Sequence, residues 1–566
     1  MSLSLLKSKL PIAGGPPWLA VLGLIIAGGA WYLPVNLRSL SPTLLRVAGR
    51  GTPSLVEYGR DLLAVDKVGP AALVRTAAIL VDVPRAPELA SAIEQFGRRQ
   101  VGLMVWGGWD AALDSLFQLR SPSEHRGSTP VVTLFIPEKA RGILLGRLEK
   151  SGSEGVQSLL RLRGLRATGR FVPATQSGGQ SLEAVILLAG LLYEGQHLAV
   201  PLQRELRAFS EAALRGGEWA PLDDFFLNLL SLGRRLDWGQ LSELSRRTNS
   251  LRTLAEFAHL ARLAPEEWPV IYAAALFSDS ADLVAAYLIK YGQVGIMDLR
   301  MALAQGRGAV AHLVKRQVPV NRSGANGTTV LAELALEYSQ LILGLKYAGY
   351  FTGFFLGLRG LALWLAGRRA GSQDAAGAVR PIKAGFIALA FSLLFIVVSE
   401  PFLLRPVPPS AFQSRLPALI SVAASPLSPP TKPVITMDPS TLISIGFFAA
   451  LQIAMYFVCL MKIREVAGQG VSPLVKLRLM ENEENLFDGG LYIGIGGTAT
   501  ALVLQVLGVI EPNLLAAYSS NLFGITCVAV VKIRHVRPFK RSLIMEGQVE
   551  PAQVIATVKV DGATLR

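Results

Sequence analysis

Acidic residues are missing from the interior of every long apolar run in this chain, and Glu400, Asp488 and Glu511 stand only at run ends. A chain that moved protons by itself would need an ionisable group near the middle of a span. None is there, so any titrating carboxylate must come from a second chain. Cysteine is almost as scarce: Cys459 and Cys527 both fall inside apolar runs, which argues against a disulfide framework. The histidines, His125, His197, His259, His312 and His535, stand far apart with no metal-ligand spacing. Walker, GxSxG and CxxC patterns are lacking too. The nearest approach to a nucleotide loop, Gly494-Ile-Gly-Gly, lies within an apolar run, where helix packing is its natural use. The residues therefore point away from an enzyme and predict neither metal nor cofactor.

What is present in quantity is apolar sequence. Of 566 residues 51% are hydrophobic and 17% charged, too apolar for an ordinary soluble protein and too long for one core. Several runs reach about 20 residues, enough to cross a hydrocarbon layer of about 30 Å as a helix. The formal net charge of +15 is spread along the chain and gathers beside apolar runs. Orientation by the positive-inside rule and attraction to membrane lipids account for that pattern without a nucleic-acid partner.

Taken in order, residues 1–34 read as a signal anchor or cleavable signal peptide. Lys7 and Lys9 precede the run Trp18–Trp31, small residues Ala27–Ala30 offer a cleavage site, and Trp31 and Tyr32 offer an interfacial anchor. Residues 35–175 read as an extracytoplasmic lobe with α/β character, because Ala77–Val83 and Pro130–Ile136 read as short β-branched strands. The apolar Val101–Trp109 reads as buried strand or helix. Residues 176–338 show helical periodicity in successive short segments, a rhythm like a stacked helical-hairpin array with a binding surface.

Transmembrane helices two to four occupy 339–462: Leu341–Ala366, Ala384–Leu404 and Thr441–Met461. Gly349, Gly353 and Gly357 sit four apart on one face of the first of these, a close packing groove. Lys346 and Arg359 in that helix lie near enough to its ends to snorkel to headgroups. Arg368, Arg369, Arg380 and Lys383 mark the following loop as cytoplasmic, and a Pro-rich external loop covers 405–440. A cytoplasmic loop, 463–488, leads to a hairpin, 489–533, and a cytoplasmic tail, 534–566, in which Val549–Val560 forms a hairpin or stays loose. The expected fold class is mainly α: a polytopic helical membrane protein with about six transmembrane helices and a large, mostly helical extracytoplasmic domain.

The hairpin carries the chemistry. Its helices, Leu491–Ile510 and Asn513–Val531, hold the pore-lining candidates Thr498, Ser519, Ser520 and Asn521 and the packing glycines Gly490, Gly494, Gly497 and Gly524. The pattern Gly494-Ile-Gly-Gly497-Thr498 followed by Ala517-Tyr-Ser-Ser-Asn-Leu-Phe-Gly524 resembles the membrane hairpin of the MotA/TolQ/ExbB proton-channel family. The resemblance covers about a tenth of the chain, and departs from the family at Leu491, where a proline is frequent, and at Ala516, where several members have a glutamate. It implies a bacterial cytoplasmic (inner) membrane protein that forms a homo-oligomer around a single-span partner bearing a transmembrane Asp, with Thr498 in the place of the pore threonine and Asn521 near the second hydroxyl position. The competing reading is a membrane-anchored scaffold or assembly factor in which the glycines only pack helices and 35–338 binds partners. A transporter is disfavoured by the lack of a buried acid and of paired repeats.

Overall fold

The computed structural model describes residues 18–121, 127–166, 169–322, 327–368, 381–403, 439–506 and 514–547. The Pro-rich loop, Glu511 and Pro512 between the two hairpin helices, His125 and the Val549–Val560 tail lie outside the described residues. Two compact units emerge, one spanning 40–322 and the other combining 18–39, 327–403 and 439–547.

Helix starts in the 40–322 unit follow from short polar caps. Ser54 accepts from the Glu57 N–H while the Glu57 carboxylate accepts from the Ser54 N–H, a reciprocal capping box. Asp237 and Gln240 repeat the arrangement, and Asp110, Ser250 and Ser280 cap Ala111–Phe117, Leu251–Leu263 and Ala281–Gln305. Prolines in the first turns of Val200–Leu214, Ala220–Gly233 and Trp268–Ser278 fix those starts further. Gln180–Glu194 and Trp268–Ser278 are apolar nearly all round and form the centre, with neighbouring helices packed against them. Leu40 and Val320 close the unit: the Leu40 N–H donates to Pro319 O and the Asn321 N–H to Leu40 O, both at 2.8 Å. Entry and exit of the chain are thereby pinned side by side.

The α/β expectation for residues 35–175 is corrected. No strand occurs among the described residues apart from that isolated bridge, and Ala77 lies in the helix Val68–Leu80 while Val131–Phe135 is a short helix. β-Branched residues pack well in a buried helix when tertiary contacts outweigh their modest propensity penalty. Val74, Ala77, Ala78, Val131, Val132 and Phe135 are all buried, and that burial decides the outcome. Val101–Trp106 is likewise helical, ended by Gly107 at φ 75°. The helix Ala281–Gln305 is bent at Gly292, with φ 54° and ψ −129°. Only glycine adopts that conformation without strain, so the chain turns there and resumes its helix.

The second unit is built from long apolar helices. Trp18–Trp31 packs on Ser339–Arg368, which packs on Pro381–Ser399; Pro439–Ala467, Gly489–Val506 and Leu514–Val531 form a second group. Among the described residues one helix, Ser339–Trp364, is long and apolar enough to cross a membrane, and Trp18–Trp31 and Ala384–Val397 are shorter apolar helices. Leu514–Val531 continues through a π turn, Lys532–Val536, into helix as far as residue 547. Val531 and Val536 enter one apolar cluster with Cys459, Ile463, Met480 and Phe487. Five residues apart, they would diverge by about 140° on a regular α-helix, and the wider i→i+5 turn returns both to one face.

Replacing Gly292 with alanine should destabilise the 40–322 unit by about 1–3 kcal/mol, the range for a residue forced into a sparsely populated backbone region. A fall in the thermal unfolding midpoint of the purified chain checks this; an unchanged midpoint contradicts the required left-handed bend.

Candidate functional site

The hairpin glycines bring backbone against backbone. A Cβ added to Gly524 would lie 2.5 Å from Gly490 O, and one added to Gly494 would lie 3.0 Å from Ser520 O. Such approach is open only to small residues. Gln452, from Pro439–Ala467, reaches into the same seam and donates from Nε2 to Gly490 O at 2.9 Å. The space a side chain would fill at Gly497 is taken by Ser520 Oγ, 2.7 Å from such a Cβ, and by the Phe448 ring.

The hydroxyls proposed for a pore wall have specific destinations. Thr498 Oγ1 donates to Gly494 O at 3.0 Å, and the buried Ser520 Oγ donates to the same carbonyl at 3.4 Å. Ser519 is half-buried on the adjoining position. Asn521 is also half-buried, but its Oδ1 is enclosed without a hydrogen-bond donor among the described residues, as is Gln452 Oε1. Thr498 and Ser520 thus meet at one carbonyl inside the seam, and two amide oxygens, Asn521 Oδ1 beside Ser520 and Gln452 Oε1 on Pro439–Ala467, are unmatched acceptors among the described residues.

The second glycine row faces Trp18–Trp31. A Cβ on Gly353 would lie 2.7 Å from Ala27 N, one on Gly349 2.8 Å from the Ala30 Cβ, and one on Gly23 would collide with the Gly357 backbone. At the end of this seam the structure departs from the expected snorkelling of Lys346. The side chain is buried, donating to Val35 O at 2.8 Å and Asn36 Oδ1 at 2.7 Å. Glu400, fully buried, accepts from the Leu37 N–H at 2.9 Å and the Tyr347 hydroxyl at 2.7 Å. A cation and an anion therefore grip consecutive residues, Val35–Leu37, because that stretch supplies both carbonyl and N–H groups that helices cannot satisfy. In the sequence Lys346 and Glu400 stand near span ends, and nothing in its local pattern pairs their roles. Antiparallel continuity of Ser339–Arg368 and Pro381–Ser399 was the available signal, since it brings the start of one helix level with the end of the next.

The 40–322 unit holds a buried polar network on Trp238–Arg246 that periodicity alone does not reveal, because that helix is buried on every side. Glu243 lies 2.6 Å from both Lys67 Nζ and Arg247 Nη1. Burial alone would raise its carboxyl, and Arg247 and Lys67 outweigh that, holding it below the usual range. His197 Nε2 lies 2.7 Å from Asp110 Oδ2, and Nδ1 lies 2.7 Å from Arg246 Nη2. A guanidinium only donates, so Nδ1 accepts and Nε2 carries the proton toward Asp110. Both ring nitrogens are engaged, which makes this a structural tie with no free base. No group of three or more His, Cys, Asp or Glu placed to hold a metal occurs among the described residues.

Asp237 sits beneath this network, wholly buried, accepting from Ser128 Oγ at 2.7 Å and the Gln240 N–H at 2.8 Å. A side chain at Gly69 or Gly107 would strike its carboxylate. Burial is the main cause that pushes its carboxyl up to about 7, with the Ser128 hydrogen bond opposing.

Comparison with protein-family models, curated proteins and solved structures finds no match for this chain.

Two outcomes follow from these sites. Between about pH 4 and 7 folded Asp237 keeps a proton that the unfolded chain has released, so its contribution to stability falls as pH rises, by up to about 4 kcal/mol. Asp237→Asn should keep the cap and remove that slope, so urea midpoints measured at pH 5 and pH 8 should improve relative to wild type at the higher pH; equal pH responses of the two proteins refute the assignment. Lys346→Met should leave Val35 O and Asn36 Oδ1 unmatched, at a loss of about 1–3 kcal/mol. Limited proteolysis should then cut within 33–40, where wild type resists.

Proposed function

We propose that this chain is a non-enzymatic, membrane-anchored scaffold: about six helices cross a bacterial cytoplasmic (inner) membrane, and the helical unit 40–322 stands outside and binds envelope partners. The observation that carries this reading is the convergence of the Thr498 and Ser520 hydroxyls on the Gly494 carbonyl. Ser520 thereby joins two helices of one chain, Thr498 is tied within its own helix, and little polarity is left for a conducting path. The glycine rows at Gly349, Gly353, Gly490 and Gly524 serve the same purpose, letting apolar helices approach until backbones touch.

One observation favours the second reading, a channel or motor-type subunit of the MotA/TolQ/ExbB kind. Gln452 Oε1 and Asn521 Oδ1 are buried acceptors without donors among the described residues. A second copy or a single-span partner whose protonated Asp enters the bundle would supply donors there, and would also supply the carboxylate that this chain's spans lack.

Reconstitution separates the two. Proteoliposomes of the purified chain, alone and with any co-purifying single-span protein, should show no proton leak above empty vesicles, and photo-crosslinkers on the surface of 40–322 should trap a discrete partner in cells. A proton flux that Thr498→Ala or Ser520→Ala abolishes would overturn the scaffold in favour of the channel. Topology reporters fused after Gly216 and after Gly371 should read outside and inside; the reverse would overturn both.

A further inference from the structure

Three elements meet at one end of the second helix group. The last turns of Pro439–Ala467, the short helix Pro473–Asn482 and the extension of Leu514–Val531 through residue 547 share an apolar cluster of Cys459, Ile463, Val466, Met480, Phe487 and Val536. Gly547 lies against Leu474 and Pro473, so the two shorter pieces adjoin. Charge on this cap is unbalanced. Lys462 is matched by Glu465 and Glu483, and Lys532 by Asp488 and Glu484. Arg464, Arg478, Arg534, Arg537, Lys540 and Arg541 have no carboxylate partner among the described residues, and all but Lys540 are exposed.

The same surface carries aliphatic side chains in water. Leu474 is 65% exposed and Met545 58%, with Val475 and Ile544 close behind. Arg537, Arg541 and Ile544 recur at three- and four-residue spacing, on a face turned away from the buried Leu543. Leu474, Val475 and Arg478 share the outward face of Pro473–Asn482 in the same way. Guanidinium groups interleaved with aliphatics on a helix face suit a bilayer interface, where the carbon side chains enter the acyl boundary and the arginines bind phosphates in bidentate fashion. An acidic protein would use the arginines and leave Leu474 and Met545 without an apolar counterpart.

We infer that this cap is a binding surface for anionic phospholipid headgroups on the cytoplasmic leaflet. It rests on the membrane reading above, and it adds a lipid preference that a scaffold or a channel would share. Binding to phosphatidylglycerol should fall about fivefold for each cation removed and weaken with salt.

The test uses the full chain in phosphatidylcholine nanodiscs with and without phosphatidylglycerol, reading retained lipid by native mass spectrometry and the unfolding midpoint. Wild type should retain phosphatidylglycerol preferentially and unfold at higher temperature with it. Arg537→Gln/Lys540→Gln/Arg541→Gln should lose most of that preference at an unchanged midpoint in pure phosphatidylcholine; Leu474→Ser/Val475→Ser, a variant that keeps every charge, should lose part of it. Equal retention of the two lipids, a preference that the Gln variant keeps, or stronger binding of polyglutamate or RNA than of phosphatidylglycerol would overturn the inference. Release of the chain from membranes by alkaline carbonate would instead bring down the membrane reading itself.

Discussion

Close approach of helix backbones is the constraint on which the apolar unit depends. Small residues at a helix–helix contact let the backbones meet at short range, and packing at that range holds the helices together. Gly23, Gly349 and Gly353 on one seam, and Gly490, Gly494 and Gly524 on another, permit that range. Polar groups then tie the seams at chosen points. Gln452 donates to a glycine carbonyl in one, while Lys346 and Glu400 bind the chain as it leaves Trp18–Trp31 in the other.

The two units solve the problem of buried charge differently. In the 40–322 unit, Glu243 is met by Lys67 and Arg247 in a compensated group. Such an arrangement offsets the cost of desolvation and fixes the position of Trp238–Arg246 more than it adds stability. Asp237 follows the opposite course: with a hydroxyl and backbone N–H groups as its partners, it holds its proton to near neutrality. In the apolar unit, Lys346 and Glu400 each bind neutral partners within Val35–Leu37 and the adjoining helices.

Much of this architecture was legible in the sequence, for identifiable reasons. Leu251–Leu263 lies within 176–338, where the sequence shows helical periodicity, and forms because a serine cap and a three- to four-residue apolar rhythm agree there. The apolar helices declared themselves by length, although one alone among the described residues is long and apolar enough to span a membrane. What escaped was set by tertiary context. Val68–Leu80 and Val131–Phe135 carry strand-like residues that burial holds as helix. Lys346 looked like a headgroup ligand because its partners, Val35 and Asn36, are more than three hundred residues away in sequence. The hairpin's residue types marked a site of close contact, while only geometry revealed that Thr498 and Ser520 share one acceptor.

The parallel bridge between Leu40 and Val320 has a mechanical consequence. The chain from Leu40 to Val320 begins and ends at adjacent positions, so a force applied to that unit loads two covalent strands together. The load is shared for as long as the two hydrogen bonds at Leu40 hold.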